Sequence, residues 1–288
     1  MDPHIPYTHP RLLSDICRLC DEYCEVLRIA TVGYSEENRE IPVLSLGSGR
    51  RKLLFAGAIH GREYVSTAYL MECVQIYAAW AVGKEECLLA DVPKVFEEFC
   101  FHIIPMCNPD SVMIAQSKAL PRVIPKDFEP CMYKNNTDNI NLNADFPFEW
   151  DSVPTWRHSG KVPASAKETR FLMSLCESNF YEKMLSFHSR GDCIYWRDTT
   201  NKEIPCDEAV AEALHRVCGF EVCPVSADIE TYSAGFENWF RFRFAGCGVC
   251  VELVGDEKVT FEDMCKGFER YTRWEQTKYA FLAGAGVI

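Results

Sequence analysis

The sequence predicts an α/β fold: a mixed, mostly parallel twisted sheet with helices on both faces, of the kind built when strands and helices alternate along a chain. Apolar runs of strand length, KLLFAGAI, FCFHIIPM and MLSFH, are each bounded by turn residues. Longer amphipathic stretches separate them. No internal repeat, low-complexity tract or Pro/Gly/Ser linker interrupts the 288 residues. We therefore expect a single domain over residues 1–288.

The first helix is expected in LLSDICRLCDEYCEVL, with Cys17, Cys20 and Cys24 on one face, read as core packing. The run from Lys52 to Ile59 reads as a buried strand, followed by HGRE and a helix from about Tyr64 to Ala81. FCFHIIPM is the next strand, ended by the turn residues Asn108, Pro109 and Asp110. From Asp110 to about Trp156 no periodicity is evident, yet NLNADFPFEW is too aromatic for disorder and reads as a structured loop wall. A helix in ASAKETRFLMSLCESNF leads into the strand MLSFH, which ends on His188. DEAVAEALHRVCG reads as helix, SAGFENWFRFRFAG as an aromatic stretch, and GVCVELVGD as a short strand carrying Glu252. A last packing helix is expected from about Phe261 to Phe281.

The formal charge of -12 and a pI near 5.1 disfavour a nucleic-acid partner, because a phosphate backbone calls for a basic stripe. No apolar run approaches membrane-spanning length, so no membrane partner is expected. The N-terminal segment has no basic stretch followed by an apolar one, so no signal peptide is read there. Sixteen cysteines then imply reduced thiols and a cytoplasmic location. Cys17 with Cys20 and Cys247 with Cys250 have metal-like spacing, and a four-thiolate zinc site is one reading of them.

His60 and Glu63 lie three residues apart across a strand-to-helix turn, where a nitrogen and a carboxylate oxygen can converge on a metal. That spacing also arises by chance. Its position adds weight, because sites in open α/β sheets form beyond the carboxyl ends of strands, where His188 is also expected. A strand-end histidine can equally be a hydrogen-bonded structural residue. Glu252 interrupts an apolar strand, where an unpaired carboxylate costs several kcal/mol. It needs either a catalytic task, as general base beside a zinc-activated water, or a salt bridge to Arg241 or Arg243.

In order, GYSEENREIPVLSLG, AGAIHGRE, MCNPDSV, YKNNTDNINLNADFPFEW, GKVPASAKETR, SFHSRGDCIYW and FENWFRFRFAGCGVCVEL resemble the zinc carboxypeptidase family over nearly the whole chain. The likeness is to its bacterial branch that cuts peptidoglycan stem peptides at γ-D-glutamyl-diaminopimelate bonds. The resemblance implies Zn2+ held by His60, Glu63 and His188, with Glu252 as general base. It implies Lys134 at the place of the arginine that polarises the scissile carbonyl in carboxypeptidase A-like enzymes, although a solvated loop lysine would look the same. Asn143 matches the asparagine that contacts the substrate carboxylate, and Tyr232 the tyrosine that closes over substrate or else a packed surface aromatic. Trp239 matches in spacing and reads as a core anchor. One departure stands out: the arginine expected after Asn143 is Ala144, which argues against ordinary C-terminal trimming of proteins.

The expected partner is thus a peptide substrate, a murein stem peptide, with Arg190 and Asp192 meeting the zwitterionic end of diaminopimelate. A local salt bridge is the plainer explanation of that pair. Two alternatives share the sequence: a metallocarboxypeptidase, deglutamylase or amino-acid deacylase on the same scaffold, and a metal-free peptide-binding module.

Overall fold

The computed structural model describes residues 6–117, 128–158, 160–189, 191–197, 204, 206–223, 233–253 and 277–288. Its strands are β1 (Leu27–Tyr34), β2 (Glu40–Leu46), β3 (Arg51–Gly57), β4 (Phe99–Ile104), β5 (Tyr181–Ser189), β6 (Cys193–Tyr195), β7 (Glu221–Cys223) and β8 (Cys247–Leu253). They form one eight-stranded sheet in the order β1-β2-β4-β3-β5-β8-β6-β7. Four neighbouring pairs are parallel and three antiparallel, so the mixed, mostly parallel sheet is present as expected.

Its parallel centre is buried on both faces, as such strands must be when helices cover both sides. Every residue of β5 except Glu182 is buried. Alternation along β3 feeds two cores: Leu53 and Phe55 pack on one face, Leu54 and Ala56 on the other. The described helices are α1 (His9–Glu22), α2 (Val65–Ala81), α3 (Val92–Glu98), α4 (Pro109–Gln116), α5 (Thr155–His158), α6 (Lys167–Ser178), α7 (Asp207–Cys218), α8 (Phe236–Phe244) and α9 (Ala280–Ala285). Residues of α1, α2, α3, α7 and α9 build the first core, and residues of α6 and α8 the second. Among the described residues, no helix is long and apolar enough to cross a membrane.

Chain order places the functional edge. After β3 the chain pairs β4 on one side and later returns to pair β5 on the other, which makes the carboxyl ends of β3 and β5 a topological switch point. A crevice opens where connections leave in opposite directions.

Three sequence expectations change. Asn108-Pro109-Asp110 does not merely end a strand: Asn108 caps α4, its side chain accepting the Ser111 N–H at 3.2 Å with Pro109 at the first helical position. Cys17 and Cys24 are exposed rather than core, because the buried stripe of α1 is Leu12, Ile16 and Leu19. The four-thiolate reading fails on geometry. Cys247 and Cys250 are three apart on β8, hence on opposite faces, and Cys247 belongs to the first core. All fifteen described cysteines are free thiols, seven of them buried. Most of the last expected helix lies outside the described residues.

One buried carboxyl on α6 gives a stability prediction. Glu168 is fully buried and accepts the Glu36 N–H at 3.2 Å and the Asn136 amide at 3.3 Å, and burial raises its pKa to about 7. Below the ordinary glutamate value both folded and unfolded chains hold the proton. As pH rises from 4.5 toward 7 the unfolded chain ionises first, so stability falls across that window and levels off above it. The group is expected to remove up to ~3 kcal/mol over this range. Glu168→Gln should flatten that part of the curve when unfolding free energy is measured by denaturant titration from pH 4 to 8. Parallel curves for the two proteins would contradict this.

Candidate active site

Backbone geometry at the end of β3 delivers the first two residues. Ala58 turns the chain with φ at +47°, a left-handed conformation that non-glycine residues rarely hold. It is pinned there: its N–H donates to Ser66 Oγ at 2.8 Å and its carbonyl accepts the Asn108 N–H at 3.1 Å. Strain held in place beside a strand end is a common property of functional sites. His60 follows in extended conformation, and a single 3-10 turn, Gly61–Glu63, brings Glu63 round beneath it. Gly61 is needed in that turn, since a Cβ would sit 2.2 Å from Ser111 Oγ.

His188 and Glu252 come from β5 and β8. They are register partners in a parallel pair, so both reach the same carboxyl edge of the sheet. Gly191 lies against Glu252, where a Cβ would stand 3.0 Å from the glutamate Cβ.

His60, Glu63 and His188 converge, with ligand atoms within 4.8 Å of one another. Glu63 faces both rings, one oxygen 3.0 Å from His60 Nδ1 and the other 3.1 Å from His188 Nδ1. The outer nitrogens meet acceptors: His60 Nε2 lies 3.1 Å from Asn141 Oδ1, and His188 Nε2 lies 3.2 Å from Glu237 Oε1. The Asn141 atom is the oxygen, because it also accepts the Asn143 N–H at 3.1 Å. A neutral ring that donates to its outer acceptor turns its Nδ1 lone pair inward, toward Glu63. In that tautomer two imidazole lone pairs and a carboxylate face one point at close range, an arrangement a cation satisfies. Two histidines and one carboxylate are the donor set of a catalytic zinc site.

Electrostatics agree. Burial opposes the charge on Glu63, but His60 and His188 outweigh it and hold the carboxyl well below its usual range. Burial pulls His60 down to about 4, and the Lys134 charge works in the same direction. Burial likewise pulls on His188, but Glu237 and Glu63 overcome it and raise it well above the ordinary value, the mark of a pocket that attracts positive charge. Burial lifts Glu252 to about 8, with Glu63 and Glu237 adding to the rise and His188 opposing it.

The alternative ion pairs for Glu252 are not formed. Arg241 is buried and pairs with Asp207 at 2.8 Å, and Arg243 lies 3.6 Å from Glu177. Glu252 Oε2 is buried without a hydrogen-bond partner among the described residues. Lys134 is half-buried beside His60, its carbonyl accepting the Gly61 N–H at 3.4 Å. Asn143 accepts the Phe236 N–H at 2.8 Å. Ala144 is fully buried in a small apolar cluster with Val153 and Ala234, Trp150 packing against it. Asp192 lies one residue before Cys193, which pairs with Glu252 across the sheet. Arg190 and Tyr232 lie outside the described residues. Trp239 is a core residue, stacked on Phe236, tilted against Phe146 and edge-on to Phe244.

Glu237 was not singled out in the sequence. It sits 49 residues from its partner His188, so no spacing motif links them. A signal existed nonetheless: a lone carboxylate in the aromatic run FENWFRFRF is as anomalous as Glu252 in its apolar strand.

The sequence matches the zinc carboxypeptidase family model over residues 13–234. The chain belongs to the zinc carboxypeptidase family. Among curated relatives of this zinc carboxypeptidase, gamma-D-glutamyl-L-diamino acid endopeptidase 1 of Lysinibacillus sphaericus is 24% identical over 266 residues, covering 86% of this chain and 65% of the relative. Metallocarboxypeptidase A of Trichophyton rubrum is 28% identical over 152 residues, covering 51% of this chain and 32% of that one. The chain thus spans less than two thirds of the length of either. Carboxypeptidase A from Helicoverpa armigera has the same fold, with a TM-score of 0.77 at 14% identity over 98% of this chain and 73% of that one.

Proposed function

We propose that the protein is a zinc metallopeptidase that hydrolyses an amide bond in peptidoglycan stem peptides, the γ-D-glutamyl-meso-diaminopimelate bond. The observation that carries the substrate reading is Ala144. Where the family resemblance leads one to expect an arginine for a C-terminal carboxylate, a fully buried alanine is walled in by Val153, Ala234 and Trp150. No cation at that position can clamp a free terminus. The name of the Lysinibacillus relative supports the same bond class.

In this reading His60, Glu63 and His188 hold the metal. Zinc bound there supplies Lewis acidity, bringing the pKa of a water toward ~7 and polarising the scissile carbonyl. Glu252, buried and raised toward neutrality, accepts the proton of the attacking water and delivers it to the departing nitrogen. Lys134 balances the negative charge that develops on the carbonyl oxygen. With its carbonyl oxygen taken by Phe236, Asn143 offers its amide N–H to a substrate acceptor. Arg190 and Asp192 meet the zwitterionic end of diaminopimelate, and Tyr232 closes over the substrate. A reducing, cytoplasmic setting belongs to the same proposal, in keeping with the free thiols of the described cysteines.

The test compares L-Ala-γ-D-Glu-meso-diaminopimelate with a hippuryl dipeptide. We expect kcat/KM for the former to be at least ~10-fold higher, the effect of about one well-placed polar contact. Preference for the hippuryl substrate would overturn the substrate reading while leaving the metal site intact.

A further inference from the structure

We propose that Glu237 is a positioning residue for the metal centre, a buried carboxylate that accepts the outward Nε2–H of His188 and thereby fixes that ring's tautomer and orientation. The inference rests on the zinc reading above and assigns a role to a residue outside the ligand set.

The two histidines are held differently on their outer sides. His60 Nε2 faces the neutral amide oxygen of Asn141 at 3.1 Å, whereas His188 Nε2 faces a carboxylate at 3.2 Å. A neutral acceptor such as the Asn141 amide oxygen is enough to favour one tautomer, so the charge at Glu237 has its own consequence. A carboxylate on the outer N–H withdraws the proton partway and makes the inner nitrogen a stronger donor. Burying that charge is unfavourable unless it is compensated. The surroundings compensate it: Glu237 lies in the first turn of α8, where backbone N–H groups favour an anion, and Ser186 hydrogen-bonds to it. Two carboxylates therefore bracket one imidazole, Glu63 on its inner nitrogen and Glu237 on its outer one. The outer contact holds the ring by a hydrogen bond, and a cation seated between Nδ1 and Glu63 would hold the inner end.

Orientation of this kind typically contributes 10- to 100-fold in metal affinity. Zinc dissociation constants are to be measured by competition with a chromogenic chelator for the wild type, Glu237→Gln and Glu168→Gln. The last is a control, a buried glutamate that contacts neither the three ligands nor their outer partners in any hydrogen bond of the described residues. We expect affinity ~10- to 100-fold weaker in Glu237→Gln and unchanged in Glu168→Gln, with far-UV circular dichroism alike in all three. Equal affinity in wild type and Glu237→Gln overturns this inference alone. A wild type that binds no zinc overturns the zinc reading with it. Should Glu237→Gln fail to fold, the wild type decides: with 15N-histidine labelling, zinc-loaded protein should display a slowly exchanging His188 Nε2–H and a proton-free Nδ1. Finding the proton on Nδ1 would refute the assignment.

Discussion

Glu252→Ala should retain zinc and fold while losing at least ~100-fold in kcat, the usual contribution of a general acid-base group. The surroundings of Glu252 make the stability side of this prediction as informative as the kinetic side. Its Oε2 is buried with no hydrogen-bond partner among the described residues, and Oε1 meets the Cys250 thiol at 3.9 Å. A carboxyl in such a place costs about 1–3 kcal/mol that a structural role would have to repay. The two arginines on α8 that might have repaid it are committed to Asp207 and Glu177. His188 and Arg62 offset only part of the burial penalty, so removing the carboxyl relieves a poorly compensated polar group, and the melting temperature should stay level or rise. A salt-bridged glutamate would behave in the opposite way, with activity nearly intact and stability reduced. That second pattern, or zinc lost along with activity, would sink the assignment of Glu252 as general base.

The features that were legible in the sequence are those in which one residue breaks a local pattern at a place the fold makes special. His60 and His188 end apolar runs, and the parallel registers β3–β5 and β5–β8 carry both ends to one edge of the sheet. Glu252 stands out because its neighbours are apolar. What the sequence hid depends on contacts between distant segments. The segment of α8 reads only as an aromatic stretch, and it folds as a helix in which Phe236, Trp239 and Phe240 share a face against the second core. Leaving that stretch without an assigned element concealed Glu237, whose side chain reaches His188 from the first turn of α8. The Asn108-Pro109 pair was read for its turn chemistry, although asparagine before proline is equally a helix start. For the cysteines, helical spacing was real but the buried stripe ran through Leu12, Ile16 and Leu19, and no periodicity rule says which of two stripes meets the sheet.

Stripping the metal should have the largest effect of all. Dialysis against a chelator is expected to bring hydrolysis to background, a loss of at least ~1000-fold for a Lewis acid contributing several kcal/mol, with recovery on adding zinc. The same manipulation should register in stability, because a ligand that binds only the folded chain stabilises it by about 4 kcal/mol at a thousand times its dissociation constant. In a chain of this size that corresponds to a rise in melting temperature of roughly 7 °C. His188→Ala separates the centre from generic metal binding. It leaves Glu63 and Glu237 buried on either side of the vacated ring position, so the metal-free variant should melt lower than the metal-free wild type, by about 3–5 kcal/mol if neither carboxylate finds a new partner. Added zinc should then produce neither the thermal shift nor activity. If His188→Ala gained as much stability from zinc as the wild type does, the ion would have to bind elsewhere, on exposed thiols such as Cys17 and Cys24, and the convergence of His60, Glu63 and His188 would need another explanation.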